Sequence, residues 1–157
     1  MARFAALMLA ALLPAMAAAT AVKHCGTDSP YEDVNEVLIS GCQQGTCKLK
    51  KKTEVGLEFK FTPSEDIKQL KNRVYAELLT LPFPFAGVDG TSACDQVFDA
   101  SGQKAGCPLK AGQEYVYKNK LKVLDIYPKI RVLVHWELQD QNEKTLKCFE
   151  VPARITS

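Results

Sequence analysis

The sequence predicts an all-β domain, a sandwich of about seven antiparallel strands. Three features carry this reading: long segments alternate apolar with polar residues, turn residues separate those segments at short intervals, and an even number of cysteines follows an apolar N-terminal run. Helix signals are scarce. The 157 residues suit one domain.

The clearest strand begins at Glu54. Val55, Leu57, Phe59 and Phe61 fall on one face, and Glu54, Gly56, Glu58 and Lys60 on the other. A second places Ile130, Val132, Val134, Trp136 and Leu138 on one side, which turns His135 and Glu137 outward. A third aligns Phe149, Val151, Ala153 and Ile155. Weaker alternation covers 35–40, 72–81 and 114–123. Pro63-Ser64-Glu65-Asp66 ends the first of these strands, and Asp140-Gln141-Asn142-Glu143 joins the last two as a hairpin. An antibody-type domain is excluded, because Trp136 lies near the C-terminal end and no Tyr-x-Cys corner exists.

Residues 1–21 read as a secretory leader. Arg3 supplies the positive start, Phe4 to Leu13 form an apolar run too short to span a bilayer, and Ala-x-Ala steps follow at Ala17–Ala19 and Ala19–Ala21. Cleavage after Ala21 leaves a domain of residues 22–157, expected to be secreted. With 20 basic and 18 acidic residues, the chain lacks the basic excess of a nucleic-acid binder.

All six cysteines, Cys25, Cys42, Cys47, Cys94, Cys107 and Cys148, follow the leader and read as three disulfides. Sequence alone does not choose the pairing. Proximity favours Cys42–Cys47 and Cys94–Cys107, which would leave Cys25 for Cys148. Zinc is disfavoured: no Cys-x-x-Cys pair exists, and His24 and His135 are isolated. No metal or cofactor is expected. Neither is an enzyme, since there is no Gly-x-Ser-x-Gly elbow, and His135 beside Glu137 lacks a nucleophile.

One segment stands out, Leu81-Pro82-Phe83-Pro84-Phe85. Prolines at alternate positions hold it extended and project Phe83 and Phe85 to one side. It is either an edge segment plugging a core or the wall of an apolar pocket.

Several motifs occur in order: His24-Cys25-Gly26, Cys42–Cys47, Leu81-Pro82-Phe83-Pro84-Phe85, Cys94–Cys107-Pro108, Tyr115-Val116-Tyr117, Asn119-Lys120-Leu121, Tyr127-Pro128, Val134-His135-Trp136-Glu137-Leu138 and Cys148-Phe149-Glu150-Val151-Pro152. In these the chain resembles the MD-two-related lipid-recognition (ML) family. The resemblance implies an immunoglobulin-like sandwich whose sheets part around one lipid, and the bridges Cys25–Cys148, Cys42–Cys47 and Cys94–Cys107. It places Phe85, Val123 and Tyr127 at the mouth. Leu57, Val74, Leu78, Leu81, Phe83, Leu121, Pro128, Ile130, Val132, Trp136, Phe149 and Val151 would line the walls.

The chain departs from the family in three ways. Phe83 stands where many relatives have Val and should narrow the cavity. Lys122 stands where sterol-binding relatives have Pro; turned outward at the entrance, its ammonium could meet a ligand head group. No Asn-x-Ser/Thr sequon exists, because Asn35, Asn72, Asn119 and Asn142 are followed at the second position by Val, Val, Leu and Lys. Lys118, Lys120 and Lys122 share one strand face, and Lys50-Lys51-Lys52 form a second cluster. These read either as a rim for anionic membranes or, favoured by the small net charge, as solvated faces. The expectation is a monomeric, non-enzymatic carrier of one sterol, fatty acid, fatty alcohol or similar lipid signal. It would meet a membrane surface or membrane receptor transiently. An innate-immune adaptor for microbial lipids is the alternative.

Overall fold

The computed structural model describes residues 22–33, 35–42 and 45–157; the expected leader lies outside them. Among the described residues ten strands form two sheets. The larger contains β1 (Lys23–His24), β3 (Cys47–Lys50), β5 (Lys71–Leu78), β6 (Leu81–Pro84), β9 (Arg131–Gln139) and β10 (Thr145–Thr156). The smaller runs in the order β2 (Val37–Ile39), β4 (Glu54–Phe61), β8 (Tyr115–Lys122), β7 (Val97–Phe98). The all-β sandwich expected from alternation is the fold observed.

Strand β4 spans the residues that alternation marks, with Val55, Leu57, Phe59 and Phe61 buried. Strands β9 and β10 bury Val132, Val134, Trp136 and Leu138 against Phe149, Val151, Ala153 and Ile155. Asp140 makes their hairpin: its Oδ1 accepts the N–H groups of Asn142 (2.7 Å) and Lys144 (2.9 Å).

The strands beyond the expected seven, such as β1 and β7, are too short to display a period. One ladder is parallel: β3 runs beside β10, from Cys47 opposite Ala153 to Lys50 opposite Thr156. Strand β10 is long enough to hold β1 antiparallel along its first half and β3 along its second.

The disulfides join Cys25–Cys148, Cys42–Cys47 and Cys94–Cys107. The first ties β1 to β10; each is of the kind that stabilises a fold by about 2–4 kcal/mol.

The two ends of the sandwich differ. At one end Ile67 and Leu109 exchange backbone hydrogen bonds of 3.0 and 2.8 Å, and with Leu70 they close the interior. Above them an aromatic cluster bridges the sheets. Phe59 stacks on Tyr117 with ring centroids 4.8 Å apart, meets Phe149 edge-on at 5.5 Å, and Tyr117 meets Trp136 at 6.2 Å. At the other end lie the β5–β6 hairpin and the loop between β8 and β9. Leu79 and Thr80 turn this hairpin with positive φ of 50° and 71°.

One expectation is corrected here. His135 and Glu137 do face away from the core, but they are buried rather than set on an open surface. Tyr75 stacks on the His135 ring at 4.4 Å, and the Cys25–Cys148 bridge covers its edge, with Cys148 Sγ 3.4 Å from Nε2. Glu150 Oε1 lies 3.2 Å from Nδ1, and Glu137 Oε2 lies 3.5 Å from Nε2. Alternation tells a residue's side of the sheet but not what covers that side. Burial pushes the Glu137 carboxyl up, but hydrogen bonds from Thr145, Gln139 and His135 outweigh it and hold the group below its ordinary 4.5.

Two predictions follow from this packing. Leu138→Ala should destabilise the fold by about 2–5 kcal/mol in chemical denaturation. Leu79→Ala, at a side chain 88% exposed, should stay within about 0.5 kcal/mol. The second concerns acid. A carboxyl with a depressed folded pKa contributes stability above the ordinary value of 4.5, and that contribution is lost as pH falls through the folded pKa. The denaturation midpoint should therefore fall below pH 4.5, and fall less steeply in Glu137→Gln; equal slopes would refute the assignment.

Candidate functional site

Two apolar spaces adjoin the inward face of the larger sheet; the deeper one lies between the two sheets, and the outer one is closed by the segments around Phe85 and Tyr127. The outer one, about 240 Å³, sits at the end marked by the β5–β6 hairpin. Leu78 of β5, Phe83 of β6, Phe85 after it, Tyr127 and Pro128 before β9, and Ile130 and Val132 wall it. Ala76, Pro84 and Ile155 complete the wall. The deeper space, about 30 Å³, is lined by Leu57, Leu121, Trp136, Phe149 and Val151. Ile39, Cys47, Leu49, Val55, Val134 and Ala153 join them.

Four expected site residues line neither space. Val74 and Val123 are fully buried in packing; Val123 is held by backbone bonds to Thr53 and Lys52. Leu81 is exposed where β6 leaves its turn, and Lys122 is exposed at the end of β8. Of the additional wall residues, Val55, Val134, Ala153 and Ile155 share the inward faces that alternation already marked. Ile39 lies in the weaker alternation of 35–40, and Leu49 sits on a strand too short for that signal.

The Pro-Phe segment is both of the things it could be. Strand β6 is the edge of its sheet, pairing Phe83 with Ala76 and Leu81 with Leu78. Its aromatic side chains also wall the outer space. Phe85 is 3% exposed and Phe83 51%, so Phe85 forms the inner wall and Phe83 the lip. Tyr127 fixes the opposite lip: its ring meets Phe85 edge-on at 5.6 Å, and its hydroxyl accepts the Ala86 N–H at 3.2 Å.

A polar cluster sits in the packed interior and lines neither space. The Tyr117 hydroxyl donates to Asn72 Oδ1 and accepts from Asn119 Nδ2, both at 2.6 Å. Burial pushes this hydroxyl far up, and the hydrogen bonds of Asn119, Trp136 and Asn72 only partly offset it, so it stays neutral. The Trp136 indole N–H, which interacts with that hydroxyl, makes no hydrogen bond of proper geometry.

Two other features do not form a site. Cys25, His135 and Cys148 bring potential metal-ligand atoms within 4.8 Å, but both sulfurs are in one disulfide and offer no thiolate. A surface groove of about 700 Å³ crosses the outer face of the smaller sheet. It is floored by charged rows that pair with each other, Lys118 with Glu58 at 3.2 Å and Lys120 with Glu54 at 3.9 Å. Lys52 similarly pairs with Asp125 at 3.3 Å. Much of the expected basic rim is thus neutralised locally.

Among the described residues no helix is long and apolar enough to cross a membrane. The walls of both spaces are hydrocarbon and aromatic, and the side chains there bearing N–H or O–H groups are Trp136 and Tyr127. Such a site can enclose an apolar molecule.

The ML domain matches residues 19–155. The chain is 38% identical over 159 residues to NPC intracellular cholesterol transporter 2 homolog a of Drosophila melanogaster, covering 99% of each. It is 34% identical to the ecdysteroid-regulated 16 kDa protein of Manduca sexta, covering 83% of this chain and 85% of that one. It is 31% identical to NPC intracellular cholesterol transporter 2 of Mus musculus, covering 96% and 95%. Among solved structures, a Niemann-Pick type C2 protein from the Japanese carpenter ant superposes with a TM-score of 0.65 at 27% identity, covering 76% of this chain and 89% of that one. Chicken MD-1 shares the fold, with a TM-score of 0.51 at 15% identity over 83% and 85%. On its sequence and its two-sheet architecture, the chain belongs to the ML-domain family.

Proposed function

We propose that this protein is a secreted, non-enzymatic carrier of one lipid held between its sheets. The outer apolar space between Phe83, Phe85 and Tyr127 carries this reading. Relatives named as cholesterol transporters point the same way. Three disulfides suit an oxidising, extracytoplasmic setting. Residues 1–21 would be removed as the leader, so intact mass of protein collected from the medium should start at Val22.

Burial of a chain of about sixteen carbons gains on the order of 13 kcal/mol, at about 0.8 kcal/mol per methylene. Association costs roughly 4–15 kcal/mol, and a ligand larger than the outer space must also part the sheets. Net affinity near micromolar suits pick-up and release.

Phe83 narrows the mouth, and Lys122 ends β8 a few residues before Tyr127. Both favour linear lipids with a polar or carboxylate end. Displacement of a fluorescent lipid probe from the delipidated protein by a sterol, palmitic acid and the matching alcohol tests this. The acid should win. Lys122→Ala should weaken the acid about twofold to fivefold and leave the alcohol unchanged; unchanged acid affinity would refute a role for Lys122. If no competitor displaces the probe, the single-lipid carrier fails and the adaptor for microbial lipids replaces it.

The mouth also carries an apolar rim. Leu79 is 88% exposed and Ile126 82%, on the two loops that flank the outer space, with Leu81 and Phe83 exposed between β5 and the lip. This rim supports contact with a lipid surface during transfer. Leu79→Asp with Ile126→Asp should slow lipid transfer between vesicles about tenfold or more while leaving equilibrium affinity nearly unchanged. Equal transfer rates would remove the rim from the mechanism.

A further inference from the structure

We propose that a row of cations on the outer face of the larger sheet, Lys48, Arg154 and Arg131, is a docking site for a sulfated polysaccharide. This goes beyond the carrier reading: the site would anchor the protein outside the cell with its cavity still free.

Three observations carry it. The first is register. Arg154 of β10 lies opposite Lys48 of β3 on one side and opposite Arg131 of β9 on the other. Their neighbours along the strands, Cys47, Leu49, Ala153, Ile155 and Val132, are buried inward, so the three cations share the exposed outer face. Exposed Lys50 and Lys129 lie at the mouth end of the same strands. Adjacent strands are about 4.8 Å apart, and like charges directly opposite repel. The row is held against that cost.

The second is the lack of acids. Among the described residues, the side chains of Lys48, Arg131 and Arg154 make no ion pair or hydrogen bond. Elsewhere such rows are balanced: Lys118 meets Glu58 at 3.2 Å, Lys120 meets Glu54 at 3.9 Å and Lys60 meets Glu114 at 3.3 Å. Of the acids on this face, Glu150 is turned to His135 at 3.2 Å, beyond the neutral pair Pro152 and Leu133. Glu77, opposite Leu133, does not pair with Arg131. The chain carries two more basic than acidic residues, so placement rather than composition gathers the charge.

The third is direction. The row crosses the strands on the flank of the sandwich. A lipid plane touching Leu79 and Ile126 would meet the strand ends and leave the row facing sideways. The occupant must instead be a linear polyanion lying across the strands. An extended acidic peptide sets its same-side carboxylates about 7 Å apart, wider than the strand spacing. A sulfated polysaccharide carries anions more densely. Its sulfates can each accept paired N–H bonds from a guanidinium, as phosphates do. Counterion release would make the binding strongly salt-dependent.

The test measures binding of a heparin decasaccharide at several salt concentrations. Comparison ligands are unsulfated hyaluronan of equal length, polyglutamate and phosphatidylserine vesicles. Heparin should bind about tenfold or more tighter than hyaluronan. Arg131→Ala with Arg154→Ala should weaken it about tenfold or more and lower the slope of log affinity against log salt by about two. That variant removes exposed, mutually repelling groups, so its denaturation midpoint should not fall. Lys60→Ala with Lys118→Ala should leave heparin affinity within about threefold. Equal losses in the two double variants would mean diffuse charge attraction and overturn the row. Tighter binding of polyglutamate or of the vesicles, lost in the arginine variant, would assign the row to an acidic protein or a membrane and overturn the polysaccharide. A bound fluorescent lipid probe should stay bound under saturating heparin; its release would overturn the independence of face and cavity. Failure of the probe to bind at all would sink the carrier reading and leave the row untouched.

Discussion

The aromatic cluster of Phe59, Tyr117, Trp136 and Phe149 decides where the two sheets touch and where they can part. Phe59 and Tyr117 belong to one sheet, Trp136 and Phe149 to the other, and their rings meet edge and face across the interior. Rings of this size bury more area than any aliphatic pair and favour such offset contacts. Below them Ile67, Leu70 and Leu109 fill the interior. Above them the facing residues become Val, Leu, Ala and Ile, whose shorter side chains do not bridge the gap. The space thus follows the change of side-chain size along the strands.

Much of this was legible in the sequence, because a half-buried strand must alternate and a sandwich has two inner faces. Strand β4 was visible residue for residue. Inward parity marks Leu57, Leu121, Trp136, Phe149 and Val151 as interior positions, and the family resemblance makes them wall positions, because parity cannot say whether an inward residue meets a ligand or another side chain. Val74 and Val123 show the difficulty. Both have the correct parity, yet both are consumed by packing.

Other features were hidden for separate reasons. Strand β3 is four residues long, and its parallel register with β10 depends on which stretch of that strand β1 leaves open. The burial of His135 depends on a disulfide between residues 123 positions apart. The family resemblance places Leu81 in the wall, but the left-handed backbone at Leu79 and Thr80 turns the hairpin so that the residue emerges at the surface.

The two prolines of β6 have an effect beyond shaping the lip. The Phe85 N–H donates inward to the Val74 carbonyl, so residues of the same parity, Leu81 and Phe83, also face β5 with their amides. The positions that face outward along the free edge are Pro82 and Pro84, which have no amide hydrogen to offer. A passing strand from another molecule would find no donors there, and so could not extend the sheet. The stickiest part of this surface, beside Leu81 and Phe83, thus lies along an edge that resists β-type aggregation. A protein with its mouth rimmed by exposed hydrocarbon can then accumulate at high concentration without polymerising through that mouth.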